Sequence, residues 1–335
     1  MSNFKYCVLI MRGQPFHKGH YELLKNALAQ AETVLILLGS YKRAPDMQNP
    51  WSAEERESMI RLALTEEELK RVQFLYVRDS WYLNNVWLTD VQALVAEATD
   101  NCPDSQICNI GAVNDFPQWK FIFQADFPGM PHATKIRELY FTHDAAYKQH
   151  VHPKIAEWLE NFKKTEKFKY LKAGFDYVCD YREAQRGAPW PYTFVTVDSV
   201  VLKSGHVLVV RRKGALGKGL IALPGGFLNQ DESIEDGALR ELKEETAINL
   251  GTEELRKNIV ENRVFDYPKR SLRGRVITHA FHIDLLDRGP LPQVKGSDDA
   301  AKAWWMSLKE AASREEEFFE DHFHIISHFT SKSPR

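Results

Sequence analysis

The chain has 335 residues, 44% apolar and 27% charged, with acids and bases nearly balanced at a formal net charge of −2. That length is more than one hydrophobic core ordinarily serves, so two domains are expected, and the composition excludes a disordered chain. The balanced charge speaks against a broad basic surface, so neither nucleic acid nor an anionic membrane is an expected partner.

Tyr6 to Met11 is a continuous apolar run, the pattern of a buried parallel strand. A turn from Arg12 to Gly19 follows, then helical apolar spacing from His20 to Ala31 and a second buried strand from Thr33 to Leu38. Together these make a βαβ unit. Ser52-Ala-Glu-Glu55 has capping-box spacing and starts a helix through about Leu64. A strand is expected at Val72 to Val77, a helix at Val86 to Ala98, a strand at Gln106 to Ile110, and helices at Thr134 to Leu139 and Pro153 to Asn161. This order predicts an α/β, Rossmann-like domain, an open parallel sheet flanked by helices, over residues 1–180.

From Glu166 to Pro191 the pattern fades into charge and then Gly187, Pro189 and Pro191, the expected boundary. Beyond it come strands at Thr193 to Leu202 and Val207 to Arg211, a helix at Ile234 to Glu245, strands at Arg263 to Phe265, Val276 to Leu285 and Ala300 to Met306, and one closing helix from Lys309 to Phe329. This is an α+β plan over residues 190–335. Cys7, Cys102, Cys108 and Cys179 form no CxxC pair and fit no zinc spacing, which predicts a reducing compartment. Met1 to Lys5 has no leader pattern, and no apolar run reaches the roughly 18 residues that span a bilayer. A cytoplasmic protein is expected, and self-association into a homo-oligomer is left open.

In the first half, His17 and His20 stand three apart where a strand hands over to a helix. Unpaired N–H groups at a helix N-terminus attract phosphate, and Gly13 and Gly19 let the backbone approach a ligand. The two imidazoles can donate to a polyphosphate as charge shifts onto a leaving pyrophosphate. Ligands of open α/β sheets bind at this end of the strands.

Arg12-Gly13-Gln14-Pro15-Phe16-His17-Lys18-Gly19-His20 resembles the HxGH signature of the nucleotidyltransferase superfamily, in the form of the archaeal-type nicotinamide mononucleotide (NMN) adenylyltransferases. Thr134-Lys135-Ile136-Arg137 resembles that family's second signature, with His132 and Ala133 standing where Ser and then Ser or Gly are usual. Thr134 is expected to cap a helix and Arg137 to hold a phosphate. Gly39 to Arg43, Asn49 to Ser52, and Glu55-Arg56 are similar to the family's segment after its second strand. The resemblance implies that Arg12, Gly13, Gln14, Phe16, Gly19 and Thr134 bind nucleotide and that Arg56 contacts phosphate. It also implies that Asn84, Asn85 and Trp87 receive the nicotinamide ring. The implied reaction is attack of the NMN phosphate on the α-phosphorus of ATP with Mg²⁺ present, giving NAD and pyrophosphate.

In the second half, Pro224-Gly225-Gly226 is followed by Glu232 and then Arg240-Glu241-Leu242-Lys243-Glu244-Glu245-Thr246-Ala247-Ile248. Glu241, Glu244 and Glu245 fall at i, i+3 and i+4, one face of a helix, where crowded carboxylates suit a hard divalent cation. The whole spacing resembles the Nudix box, GX5EX7REUXEEXGU, with Ala247 in place of its second Gly. The resemblance implies Mg²⁺ (or Mn²⁺) on Glu241, Glu244 and Glu245, which polarises a pyrophosphate and helps activate water. Arg240 would hold a box carboxylate in place, Glu232 would close the loop onto the helix or bind metal indirectly, and Asp298 or Asp299 could add an acid or base. Beside an NAD-forming domain, ADP-ribose is the natural substrate, giving AMP and ribose 5-phosphate. The alternatives are another nucleoside diphosphate derivative, an ADP-ribose sensor, or a pantetheine or cytidylyl product from the first domain.

Overall fold

The first apolar run becomes β1 (Phe4–Met11), the central strand of a five-stranded sheet in the computed structural model, which describes residues 3–124, 127, 129–286, 289–296 and 300–331. The chain divides into two compact units, Met1–Lys172 and Ala173–Arg335. Among the described residues no helix is long and apolar enough to cross a membrane.

In the first unit β1 is followed by α1 (Lys18–Gln30), β2 (Ala31–Leu38), α2 (Ala53–Ala63), α3 (Glu66–Leu69), β3 (Val72–Tyr76) and α4 (Asn84–Ala98). Then come β4 (Ile107–Gly111), β5 (Lys120–Phe123), α5 (Ala133–Phe141) and α6 (Pro153–Phe162), and α7 (Glu166–Glu183) runs from the first unit into the second. The sheet order is β3-β2-β1-β4-β5, with every neighbouring pair parallel. Val8, Leu35 and Val77 are buried on one face of it against Val91 and Val95 of α4. The order reverses direction between β1 and β4, so the carboxyl end of β1 opens the crevice where a ligand binds in such sheets.

Two expectations change here. Strand β5 was not foreseen, because four residues at a sheet edge carry little pattern. Residues 166–183 are helical rather than irregular: Phe168, Leu171, Phe175 and Val178 recur at spacings of three and four and are buried, while the charges between them face outward.

The second unit holds β6 (Thr193–Lys203), β7 (His206–Arg212), β8 (Ile221–Ala222), β9 (Gly225–Phe227), α8 (Ile234–Thr246) and α9 (Thr252–Lys257). These are followed by β10 (Ile259–Phe265), β11 (Arg275–Asp284), β12 (Ala300–Ser307), α10 (Leu308–Ser313) and α11 (His322–Thr330). They build a mixed seven-stranded sheet of order β10-β11-β6-β7-β12, with β8 on β7 and β9 on β6. β6 and β11 run parallel, and the remaining pairs are antiparallel. Helix α8 lays Ala238, Leu239 and Leu242 on Val197, Val201, Leu208 and Phe281, which turns Glu241 and Glu244 away from this core.

The expected single closing helix is broken at residues 314–321. Buried Arg270 grips Asp321 with two hydrogen bonds of 2.9 and 2.8 Å, and Ile221 bridges to Phe318. These long-range partners outweigh the one or two helical turns they interrupt.

Helix α8 ends at Ala247, whose φ of 43° lies in the left-handed region. Glycine takes that conformation without the clash between Cβ and the carbonyl, so Ala247→Gly is expected to stabilise the second unit by about 1 kcal/mol. Denaturant titration of the full chain checks this, and an unchanged midpoint would show that Ala247 is unstrained.

Candidate active sites

The first site grows from the end of β1. Gly13 has φ +60°, so the chain turns there at no side-chain cost. His17 then caps α1. Its Nδ1 accepts the Gly19 N–H at 3.1 Å, and its own N–H reaches Nδ1 of His20 at 3.4 Å, a reciprocal capping box made by two histidines. The rings lie 3.8 Å apart between centroids, and Phe16 stacks on His20 at 5.8 Å. A Cβ on Gly19 would sit 3.0 Å from Cε1 of His17, so glycine keeps the capping imidazole in place.

This geometry sets the chemistry of the rings. Burial pushes His17 down to about 4, helped by the charges of His132, His150 and Arg137. Burial, then His17, lowers His20 as well, against a hydrogen bond with the Pro15 backbone. Both rings are neutral at pH 7. Because Nδ1 of each accepts a backbone N–H, the network assigns the proton to Nε2. His17 therefore offers a neutral N–H donor at the mouth of α1.

Cations surround the turn. Arg137 donates from Nη1 to the Gln14 carbonyl and from Nη2 to Thr134 Oγ1 at 3.2 Å. Burial lowers its pKa to about 10, against the pull of Asp46. Arg12 and Arg43 flank Asp79 at 3.8 and 3.9 Å, and Asp79 also takes the Ser40 N–H at 3.2 Å and its hydroxyl at 2.7 Å. Neither Asp79 nor Asp46 was singled out from the sequence. The one available signal was the position of Asp79 just past the end of β3.

Several residues expected to meet ligand also hold the scaffold. Arg56 is fully buried and donates to the carbonyls of Ser52, Arg12 and Gly39, which pins the ends of β1 and β2 together. Gln14 is buried with both ends of its amide on Trp51, at 2.9 and 3.2 Å. Phe16 is buried behind His20. Trp87 is partly buried and packs against Phe116 at 5.8 Å, at the edge of the core. Thr134 is not the cap of α5: His132 holds that position, so the Thr134 hydroxyl lies within the first turn, facing Arg137. The side chain of Asn84 and residues Asp298 and Asp299 lie outside what the structure describes.

The second site lies on α8 and the turn before it. Arg240 is its hub. Nε and Nη2 hold Glu232 at 2.8 and 2.6 Å, and Nη1 holds Glu241 at 2.9 Å and Glu244 at 2.8 Å. Glu232 also accepts the Asn229 N–H at 2.7 Å, which closes the loop onto the helix. Its carboxyl is lowered, chiefly by Arg240. Glu245 is buried and accepts the Gly225 N–H at 3.0 Å. Glycines are required in that turn. A Cβ on Gly226 would lie 2.5 Å from Oε1 of Glu241, and one on Gly225 would lie 2.1 Å from the Val197 carbonyl.

Among the described residues no three His, Cys, Asp or Glu side chains already stand as a metal cage. Arg240 occupies Glu241 and Glu244, while Glu245 turns to the backbone. The donors nonetheless fit a hard divalent cation. Burial, then the neighbouring Glu241 charge, raises Glu245 to about 8. Burial raises Glu241 too, despite Arg240. A buried and a half-buried carboxyl whose ionisation is opposed by burial are groups that an oxygen-seeking cation relieves.

The sequence did not flag what stands behind this face. Asp198 of β6 accepts the Thr278 hydroxyl at 2.6 Å, and Arg270 lies 4.0 Å from it. Arg212 feels Glu320, Glu245 and Asp198, while burial lowers its pKa.

The fold and the two sites define a nucleotidyltransferase-type α/β unit joined to a Nudix unit. A cytidylyltransferase-like family model matches residues 14–124, and a NUDIX domain model matches residues 193–329. The chain is 30% identical over 181 residues to the nicotinamide/nicotinic acid mononucleotide adenylyltransferase of Acinetobacter baylyi, covering 51% of this chain and 94% of that one. It is 34% identical over 114 residues to an ADP-ribose pyrophosphatase of Methanocaldococcus jannaschii, covering 34% of this chain and 62% of that one. A crystal structure of a bifunctional NMN adenylyltransferase/ADP-ribose pyrophosphatase from Francisella tularensis, in complex with AMP and a manganese ion, is 34% identical. It superposes with a TM-score of 0.92 over 98% of this chain and 99% of that one. The chain belongs to the family of bifunctional NMN adenylyltransferase/ADP-ribose pyrophosphatases.

Proposed function

We propose that the first unit transfers the adenylyl group of ATP to nicotinamide mononucleotide, giving NAD and pyrophosphate, and that the second hydrolyses ADP-ribose to AMP and ribose 5-phosphate. The observation that carries the first activity is the pair of neutral imidazoles capping α1, with Arg137 clamped on the same turn. The 5′-phosphate of the mononucleotide attacks the α-phosphorus of ATP, and the bond to the pyrophosphate breaks. His17 donates from Nε2 to the leaving oxygens, the N-terminus of α1 contributes its unpaired N–H groups, and Arg12 and Arg137 balance the charge. Positioning and electrostatics of this kind suffice for phosphoryl chemistry without a covalent intermediate.

For hydrolysis, Glu241, Glu244 and Glu245 would hold Mg²⁺, with Mn²⁺ as the alternative. Such a cation neutralises the pyrophosphate and favours ionisation of an attacking water. Arg240 gathers Glu241 and Glu244 on one guanidinium nitrogen and so holds them on the same face, and Gly225 and Gly226 let the substrate's phosphates approach the helix closely. A boundary between residues 180 and 190, separating residues 1–180 from 190–335, is part of the same reading. So are a cytoplasmic setting and four ligands: ATP, nicotinamide mononucleotide, NAD and ADP-ribose.

The test is a substrate screen of the full chain with Mg²⁺. NAD formation and AMP release are read separately, and nicotinate mononucleotide and other nucleoside diphosphate sugars are included. Absence of NAD sinks the first assignment, and absence of AMP from ADP-ribose sinks the second.

A further inference from the structure

A cavity of about 410 Å³ opens in the first unit at the end of the sheet away from the His17–His20 turn. Ile107, the first residue of β4, lines it, and Ile107 lies beside Tyr6 in the register of β1. The turn with the two histidines begins after Met11, about 16 Å further along that strand. The volume falls within the roughly 300–1,000 Å³ of small-molecule sites. Val95 of α4, Ile107 and Trp119 are buried and form the apolar wall, while Gln92, Gln118 and Asp104 are exposed at the mouth. Asp104 accepts the Trp119 indole N–H at 2.9 Å, which fixes the carboxylate there.

The lining says what this cavity takes. Asp104 is its one charged residue, and no lysine, arginine or histidine lines it. A phosphate would enter against that carboxylate with nothing to balance its charge, so the nucleotides of the two sites described above are excluded. A glutamine amide instead pairs bidentately with a ring edge that carries one donor and one acceptor, as it does with adenine. An exocyclic amine can donate to Asp104, and the apolar wall suits a flat ring.

The same wall continues towards the first site. Trp119 stacks on Phe116 with centroids 4.9 Å apart and planes 26° apart, and Phe116 meets Trp87 at 5.8 Å. Trp87, near the start of α4, is expected to receive the nicotinamide ring, and Val95, about two turns on in that helix, shares a buried cluster with Phe116 and Trp119. We propose that this cavity binds a phosphate-free planar heterocycle with a donor–acceptor edge, a free base or its nucleoside, and that the bound ring acts on the mononucleotide site through Trp119, Phe116 and Trp87. The binding stands by itself, and the coupling rests on the transferase reading above.

The test uses the full chain with adenosine as the probe. Calorimetry compares wild type with Gln92→Ala, Gln118→Ala and Ala96→Trp, the last of which fills the cavity from α4. None of these residues belongs to the two sites described above, so adenosine bound at those sites contributes equally to every titration. The expected result is one additional site in wild type, weakened about tenfold by either glutamine variant and absent in Ala96→Trp. The glutamines are exposed, so their variants keep the test decisive if Ala96→Trp fails to fold. AMP is expected to bind wild type and variants alike. At saturating ATP, adenosine is expected to move the KM for nicotinamide mononucleotide about fivefold in wild type, and in Ala96→Trp not at all. Equal adenosine binding by wild type and all three variants overturns the site, and so does AMP binding that the same variants abolish. A KM that stays fixed while the additional site fills overturns the coupling. If the chain forms no NAD but the additional site persists, the transferase reading falls and the cavity site stands.

Discussion

Glu244→Gln is expected to lower ADP-ribose hydrolysis by about 100-fold or more while NAD synthesis and the melting temperature hold. The first half of this expectation follows from charge. A neutral amide in place of one of three carboxylates weakens the cation site that must neutralise a pyrophosphate, an effect of several kcal/mol on the barrier. The second half follows from exposure. The Glu244 side chain is 45% exposed, and its pairing with Arg240 at i, i+4 contributes at most about 0.5 kcal/mol. Glu245 would be a poorer probe, because it is buried and holds the Gly225 turn. Hydrolysis, NAD formation and thermal unfolding measured on one preparation decide the matter. Loss of both activities together would mean that the two units are coupled rather than independent.

His17→Asn is expected to lower the rate of adenylyl transfer by roughly 100- to 1000-fold and to leave hydrolysis alone. Asparagine caps helices well, so α1 keeps its first turn, but it lacks the ring N–H that the proposed mechanism directs at the leaving phosphates. The same substitution changes the dependence of stability on pH. His17 titrates near 4 when folded, against 6.5 for the free side chain. Between those values the unfolded chain binds more protons, so wild-type stability falls as pH drops below 6.5, by up to about 3 kcal/mol near pH 4. Above 6.5 this residue adds no dependence. The His17→Asn variant loses that share of the slope, while His20, also lowered by burial, keeps its own. Denaturant titrations at pH 7 and 5 measure this difference. Parallel losses in wild type and variant would show that His17 is not buried as a neutral ring.

Both sites were legible in the sequence because each is encoded locally. Histidines three apart at a strand-to-helix turn, and glutamates at i, i+3 and i+4, share a face of whatever helix forms, whatever packs around it. The capping box at Ser52 was legible for the same reason, and the structure shows both of its reciprocal bonds. The misreadings are of the opposite kind. The charged residues between Phe168 and Val178 hid the apolar stripe of α7, and the expected closing helix breaks where Arg270, 51 residues away, grips Asp321.

The sequence by itself determined the two kinds of chemistry, the order of the units and the seats of His17, His20, Glu241, Glu244 and Glu245. Only the tertiary structure decided which residues face a ligand and which hold the scaffold. Arg56 and Gln14 have the donors to bind a nucleotide, and backbone partners 44, 17 and 37 residues away engage Nη1 of Arg56 and the amide of Gln14. Trp87 rests partly buried against Phe116 at the edge of the core. The reason is physical. Residue type sets what a side chain can do, but burial and long-range hydrogen bonds determine what remains free to do it.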